Sequence, residues 1–161
     1  MQLLLIAGEG RDVGKTLLGE KLVKALTSRG LSVGVVKHVH HGVDYRVKDT
    51  GRYLAAGAQR VVAVGPAEYM VVEPRRLGLE EAICLVSEND VVIVEGFKEH
   101  IEDVRKQGGC AVFLRRSGAA ELWYRSEHRE ITSINAVFEI VLRLLQDSSC
   151  STVFSCRNSS S

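Results

Sequence analysis

The 161-residue chain contains no Cys-x-x-Cys pair. Its four cysteines are Cys84, Cys110, Cys150 and Cys156, with long gaps between the first three, a spacing that argues against a structural zinc site. Cys84 and Cys110 stand in apolar stretches and read as small core residues. Reduced thiols in a cytoplasmic protein are the expectation. No apolar run approaches the ~20 residues that cross a bilayer. Leu3 to Ala7 is apolar but has no basic region ahead of it and a glycine-rich turn behind it, unlike a signal peptide. Neither sign of charge dominates: 21 Lys and Arg against 20 Asp and Glu leave a formal net charge of +1. That balance excludes the basic footprint of a nucleic-acid binder and a polybasic membrane patch. There is no internal repeat, and the length suits one domain with its own core.

What the chain does have is an alternation of short apolar runs and amphipathic segments. Leu3 to Ala7 reads as a strand buried on both faces. Gly8 to Gly14 is a turn, and Lys15 to Ser28 a helix, with Leu17, Leu18, Leu22, Val23, Ala25 and Leu26 near a 3.6 period before Gly30. Leu31 to Val36 completes a βαβ unit. A polar loop covers Lys37 to Val47, and a helix Lys48 to Ala56. Strands are expected at Arg60 to Val64 and Glu68 to Glu73, the second antiparallel and broken by Pro74. A helix follows at Gly78 to Ser87, then a fully apolar strand at Asp90 to Val94. Cys110 to Leu114 and Glu121 to Tyr124 read as strands. Ile131 to Leu145 reads as a last helix capped by Thr132 or Ser133. The pattern predicts a doubly wound, mostly parallel sheet, whose ligands bind beyond the carboxyl ends of its strands. A nucleotide-binding domain is expected over residues 1–146, and a disordered, serine-rich tail over 147–161.

The first such strand end carries Gly8-Glu9-Gly10-Arg11-Asp12-Val13-Gly14-Lys15-Thr16-Leu17. A phosphate loop needs glycines so that backbone N–H groups converge on an anion. It also needs a lysine for the β- and γ-phosphates, a hydroxyl for Mg²⁺ and a helix N-terminus. All are supplied here, so the expected fold is a P-loop NTPase-like, three-layer α/β/α architecture. One spacing departs from the usual motif. Gly8 lies six residues before Gly14, and Glu9 holds the position where a glycine is usual, so the loop is longer or Gly10 shares the work.

A second strand end, Val91-Val-Ile-Val94-Glu95-Gly96, has the form of a Walker B element. A carboxylate there can hold Mg²⁺ or orient a water, and Gly96 lets the backbone pass close to phosphates. The third strand end carries Lys37-His38-Val39-His40-His41-Gly42-Val43-Asp44. Protonated, its histidines suit a phosphate or acidic cofactor; neutral, they suit a transition metal; a solvated polar loop is the plainer alternative. Asp44 is a further candidate for the magnesium shell. Asp49 suits the first turn of its helix. Arg52 suits either a phosphate contact or an exposed surface position.

Taken in order, Gly14-Lys15-Thr16, Lys37 to Asp44, Lys48 to Arg52, Ala56-Gly57-Ala58 and Val94-Glu95-Gly96-Phe97-Lys98 resemble the MobB family, accessory proteins of molybdopterin-guanine dinucleotide biosynthesis. The resemblance covers roughly residues 1–100. The Gly-Lys-Thr motif is common to many NTPases; the histidine segment and the Glu-Gly-Phe-Lys end are far more specific. The resemblance implies GTP binding with weak GTPase activity, a homodimer, and a guanylyltransferase partner that joins GMP to molybdopterin. It puts Lys15 and Thr16 on phosphate and magnesium and Glu95 in the magnesium site. Lys37, His38, His40, His41, Asp49 and Arg52 fall in the region implied for molybdopterin or the partner. No Asn/Thr-Lys-x-Asp loop appears later in the chain, so GTP over ATP rests on the resemblance. The long loop is equally similar to the dethiobiotin synthetase group, which keeps an ATP-dependent ligase or small-molecule kinase open. A non-hydrolysing, nucleotide-dependent adaptor is the third reading.

Overall fold

The computed structural model describes residues 1–39, 43, 49–154 and 156. Two compact units are present: Met1–His38 with Leu79–Ser161, and Val39–Gly78.

The larger unit is built on a six-stranded sheet of order β2-β5-β1-β6-β7-β8. Its strands are β1 (Gln2–Gly8), β2 (Val33–Lys37), β5 (Val91–Glu95), β6 (Cys110–Leu114), β7 (Ala120–Tyr124) and β8 (Glu127–Ile131). The first four in sequence run parallel, and β7 and β8 add on antiparallel. Successive side chains of a strand face opposite sides, and β1 shows the consequence. Leu4 and Ile6 join a core with Leu18, Leu22 and Leu26 of α1 (Lys15–Thr27) and Val137, Val141 and Leu145 of α5 (Ile134–Gln146). Leu3, Leu5 and Ala7 join a second core with Leu79 and Ile83 of α3 (Leu79–Cys84) and Val104 of α4 (Ile101–Lys106). Helices therefore cover both faces, the expected three-layer α/β/α arrangement with a mostly parallel sheet. Both faces of β1 and β5 are sealed, which is why these strands read as unbroken apolar runs.

The smaller unit holds α2 (Asp49–Ala55) and a two-stranded antiparallel sheet of β3 (Val61–Val64) and β4 (Tyr69–Val72). The antiparallel fourth strand is as the sequence indicates, but it pairs with β3 in a separate sheet.

Three expectations need correction, and two elements, β8 and α4, were not expected from the sequence. Ile131 ends β8 instead of opening the last helix; Ser133 is the N-cap position of α5 and makes no side-chain capping bond. β8 itself, Glu-His-Arg-Glu-Ile, is an exposed edge strand whose charges hide its alternation, a common protection against edge pairing. The short α4, with Val104 as its one buried residue, carries little apolar pattern in the sequence. The segment 147–154 does not behave as a tail: Cys150 is fully buried, its carbonyl accepts from Leu3 N–H at 2.9 Å, and Ser151 bridges to Gln2. Last, the thiols are not free. Cys84 is bonded to Cys156 and Cys110 to Cys150, across 72 and 40 residues of sequence. Cys110 is a core residue as expected, but a cross-linked one.

Candidate nucleotide site

Three strand ends meet at one edge of the larger sheet. β1 lies between β5 and β6, and β5 lies between β1 and β2. Ile6 and Lys37 both stand in register with Glu95, so the acid at the end of β5 is flanked by the phosphate-loop strand on one side and the Lys37 strand on the other.

The loop leaves β1 at Gly8 and turns into α1 through Gly14. Gly14 has φ +93° and ψ +12°, a left-handed geometry that costs an L residue about 1–2 kcal/mol. A Cβ there would also come within 3.0 Å of Ile134 Cδ1. Asp12 is left-handed as well, with φ +59°. Arg11 and Asp12 are exposed, whereas Val13 turns inward onto the α1/α5 core. Leu17 is exposed on the first turn of α1. The Lys15 ammonium donates to the carbonyl oxygen of Gly10, folding back over the loop.

Thr16 Oγ1 donates to Glu95 Oε1 at 2.9 Å. Lys37 Nζ reaches Thr16 Oγ1 and Glu95 Oε2, each at 3.3 Å. A hydroxyl, a carboxylate and an ammonium thus form one cluster, with the Glu95 side chain only 15% exposed. Beyond β5 the backbone turns sharply: Gly96 has φ +99° and Phe97 φ +51°. A non-glycine residue in that region is uncommon and tends to mark a functional turn. The turn sets the Phe97 ring against the His38 imidazole, centroids 4.5 Å apart and nearly parallel, with His100 edge-on at 6.0 Å. His100 Nδ1 lies 3.0 Å from Asp103 Oδ2.

Thr16, Lys37 and Glu95 are therefore brought together, while the Lys15 ammonium is turned to the Gly10 carbonyl. Asp49 and Arg52 belong to the smaller unit, where they pair with each other at 3.4 Å and are both exposed. Asp44, His40 and His41 lie outside the described residues. Among the described residues, no group of three or more His, Cys, Asp or Glu could hold a metal ion.

The sequence did not point to the other wall of the loop. Glu9 N–H donates to Leu114 O at 3.0 Å, and Glu9 Oε2 accepts from the backbone N–H of Arg116 at 2.8 Å. Arg115 Nη1 lies 3.5 Å from Glu9 Oε1, and its other terminal nitrogen pairs with Glu121. The signal was there in Leu114-Arg115-Arg116, an arginine pair ending an apolar strand. Only the strand order, with β6 beside β1, gives it meaning.

The family model for Molybdopterin guanine dinucleotide synthesis protein B matches residues 3–134. The chain is 32% identical over 124 residues to the molybdopterin-guanine dinucleotide biosynthesis adapter protein of Escherichia coli, covering 72% of this chain and 67% of that protein. It is 35% identical over 92 residues to the protein of the same description from Haemophilus influenzae, covering 53% of this chain and 52% of that protein. The chain thus spans about half the length of the Haemophilus relative. Among solved structures it resembles a MobB protein homolog from Bacillus stearothermophilus, with a TM-score of 0.52 and 27% identity over 73% of this chain and 66% of that one. A crystal structure of Bacillus subtilis MobB gives 0.51 and 28%, over 61% of this chain and 62% of that one. The family match runs well past the segment that carries the sequence motifs, through β8 to the first residue of α5, and the chain belongs to the MobB family of molybdopterin guanine dinucleotide synthesis proteins.

Proposed function

We propose that the chain binds GTP with Mg²⁺, hydrolyses it slowly, and acts as an adapter in molybdopterin-guanine dinucleotide biosynthesis. The observation that carries the reading is the hydrogen bond of Thr16 Oγ1 to Glu95 Oε1 at 2.9 Å, made at the foot of a glycine loop whose lysine is Lys15.

The donor set fits magnesium. A hydroxyl and a carboxylate are hard oxygen ligands, and Mg²⁺ is commonly held by one or two carboxylates together with substrate phosphates and water. Thr16 and Glu95 would hold it, and when bound it supplies positive charge to the phosphate oxygens. The backbone N–H groups of the loop and the N-terminus of α1 cradle the phosphates. Lys15 leaves the Gly10 carbonyl and stabilises charge on the γ-phosphate. Catalysis of this kind is positioning and charge stabilisation. No glutamine stands in the three motif segments to orient a water, so turnover by the isolated protein is slow.

By the same reading the family resemblance assigns Lys37, His38, His40, His41, Asp49 and Arg52 to recognition of molybdopterin or the guanylyltransferase. The working form is a cytoplasmic homodimer. Asp44 is a further magnesium candidate. Disulfides are rare in the cytosol of mesophiles, so in a cytoplasmic chain Cys84–Cys156 and Cys110–Cys150 would face cellular reductant.

Titration with GTP and ATP, each with Mg²⁺, alongside Lys15→Ala tests the proposal. GTP binding that the substitution abolishes, with ATP weak, is the expected result. Preference for ATP would favour a ligase or kinase. GTP binding with no hydrolysis in a phosphate-release assay would favour a non-hydrolysing adaptor, and no binding of either nucleotide would reduce the loop to a turn.

A further inference from the structure

We infer that Arg116, on the hairpin joining β6 to β7, is a second cation for the phosphate chain of the nucleotide, acting from the side of the loop opposite Glu95. The inference rests on the nucleotide-binding reading above.

The loop leaving β1 has a wall on each side. On the β5 side stand Thr16, Lys37 and Glu95. On the β6 side the hairpin is tied to the loop by Glu9, which takes the place of the usual glycine. Its N–H pairs with Leu114 O, and its carboxylate receives the N–H of Arg116 and faces the Arg115 guanidinium. Arg115 is thereby engaged with Glu9 and Glu121.

The Arg116 guanidinium is different. It has no carboxylate partner among the described residues, although its backbone is held at 2.8 Å. It lies over the middle of the loop: a Cβ built on Gly10 would be 3.3 Å from Arg116 Nη2. The carbonyl of that same Gly10 receives the Lys15 ammonium. The Lys15 ammonium and the Arg116 guanidinium therefore approach one glycine from different elements, and a phosphate chain passing that glycine would meet both charges. The planar guanidinium fork matches two phosphate oxygens where an ammonium offers a point charge. A Cβ on Gly10 would press on the end of the Arg116 side chain, which would have to give by a few tenths of an ångström.

The test is calorimetric titration of wild type, Lys15→Ala, Arg116→Ala and Arg116→Lys with Mg²⁺-GTP and with Mg²⁺-tripolyphosphate, which has phosphates and no base. Hydrogen bonds to charged groups are worth roughly 1.5–3 kcal/mol, so Arg116→Ala is expected to weaken both ligands by about 10- to 100-fold, with partial recovery in Arg116→Lys. Because Arg116 is exposed on a hairpin, the variants should fold, and unchanged thermal unfolding checks it. Arg116→Ala affinities within about twofold of wild type, while Lys15→Ala fails to bind, would overturn the inference and leave the nucleotide reading standing. Weakening of GTP alone would put Arg116 on the base or sugar and overturn the phosphate contact. A wild type that binds neither ligand would remove the nucleotide reading, and the inference with it.

Discussion

Thr16 and Glu95, 79 residues apart in sequence, share a 2.9 Å hydrogen bond, and the Lys37 ammonium lies 3.3 Å from both partners. On the proposed magnesium reading, the ammonium stands beside the same hydroxyl and carboxylate that would hold the cation.

A competition follows from that placement. If Glu95 holds magnesium as proposed, the cation has to displace Lys37, whose half-exposed ammonium is only weakly held. Exposed ion pairs are worth about 0.2–1 kcal/mol, so Lys37→Met is expected to lower the Mg²⁺ concentration that half-supports GTP binding by about 1.5- to 5-fold. Glu95→Gln is expected to raise it and to depress hydrolysis more than GTP affinity. Magnesium titrations at fixed GTP measure both. An unchanged midpoint in Lys37→Met would mean that the lysine does not occupy the cation's position.

The motifs were legible in the sequence because each depends on local chain. A buried strand, a glycine turn and an amphipathic helix announce Lys15 and Thr16, and four apolar residues closed by an acid announce Glu95. What was hidden depends on strand order. Nothing local puts Glu9 beside Arg115 and Arg116; that follows from β1 pairing with β6. β8 was missed because four of its five residues are exposed and polar. Cys150 was missed because serines on either side masked a buried position. Asp49 and Arg52, named from the motif order, fall in the smaller unit and pair with each other.

Gly96 offers a test of the turn. Its φ of +99° disfavours any L side chain, and a Cβ there would meet His38 Cβ at 2.6 Å. Gly118 has a similar φ of +85° and open space around it. Backbone strain alone costs about 1–2 kcal/mol, so Gly118→Ala is expected to lose about that much stability. Gly96→Ala is expected to lose more, and to weaken GTP binding because the displaced His38 shares a backbone bond with Glu95. Equal losses in the two variants, by chemical denaturation, would show that the turn tolerates the extra carbon.

The two disulfides differ in access. Cys110 and Cys150 are fully buried, whereas Cys84 and Cys156 are partly exposed. Reductant under native conditions is expected to open Cys84–Cys156 first, so a thiol-labelling mass measurement should find two modified cysteines well before four. Loops of 40 and 72 residues are long, and a cross-link of this kind contributes typically 2–4 kcal/mol by restricting the unfolded chain. Full reduction should lower the denaturant midpoint accordingly. Four thiols appearing together would mean that the C-terminal segment opens as one piece.

The last prediction concerns acid. Asp90 Oδ2 accepts from the backbone N–H and the hydroxyl of Ser32, both at 2.8 Å, and Asp90 N–H returns a bond to Ser32 Oγ at 2.9 Å. These bonds fasten the start of β5 to the start of β2. The backbone N–H of Ser32, and then its hydroxyl, hold the Asp90 carboxyl below the usual carboxylate range. A folded-state pKa below the unfolded one means that the unfolded chain binds the proton more readily. The stabilisation is therefore fully present above the unfolded value of about 4 and is lost as pH falls through the folded value. Glu73, held down by Arg75 and Arg60, and Glu127, held down by the Tyr124 hydroxyl and Arg129, act in the same direction. Acid unfolding of the wild type alone cannot separate the three, but Asp90→Asn removes one titration and leaves the others. The stability difference between wild type and Asp90→Asn should be largest near neutrality and shrink below about pH 4, as followed by denaturant titration at stepped pH. A difference that stays constant down to the acid transition would mean that Ser32 binds Asp90 through its shape and not its charge.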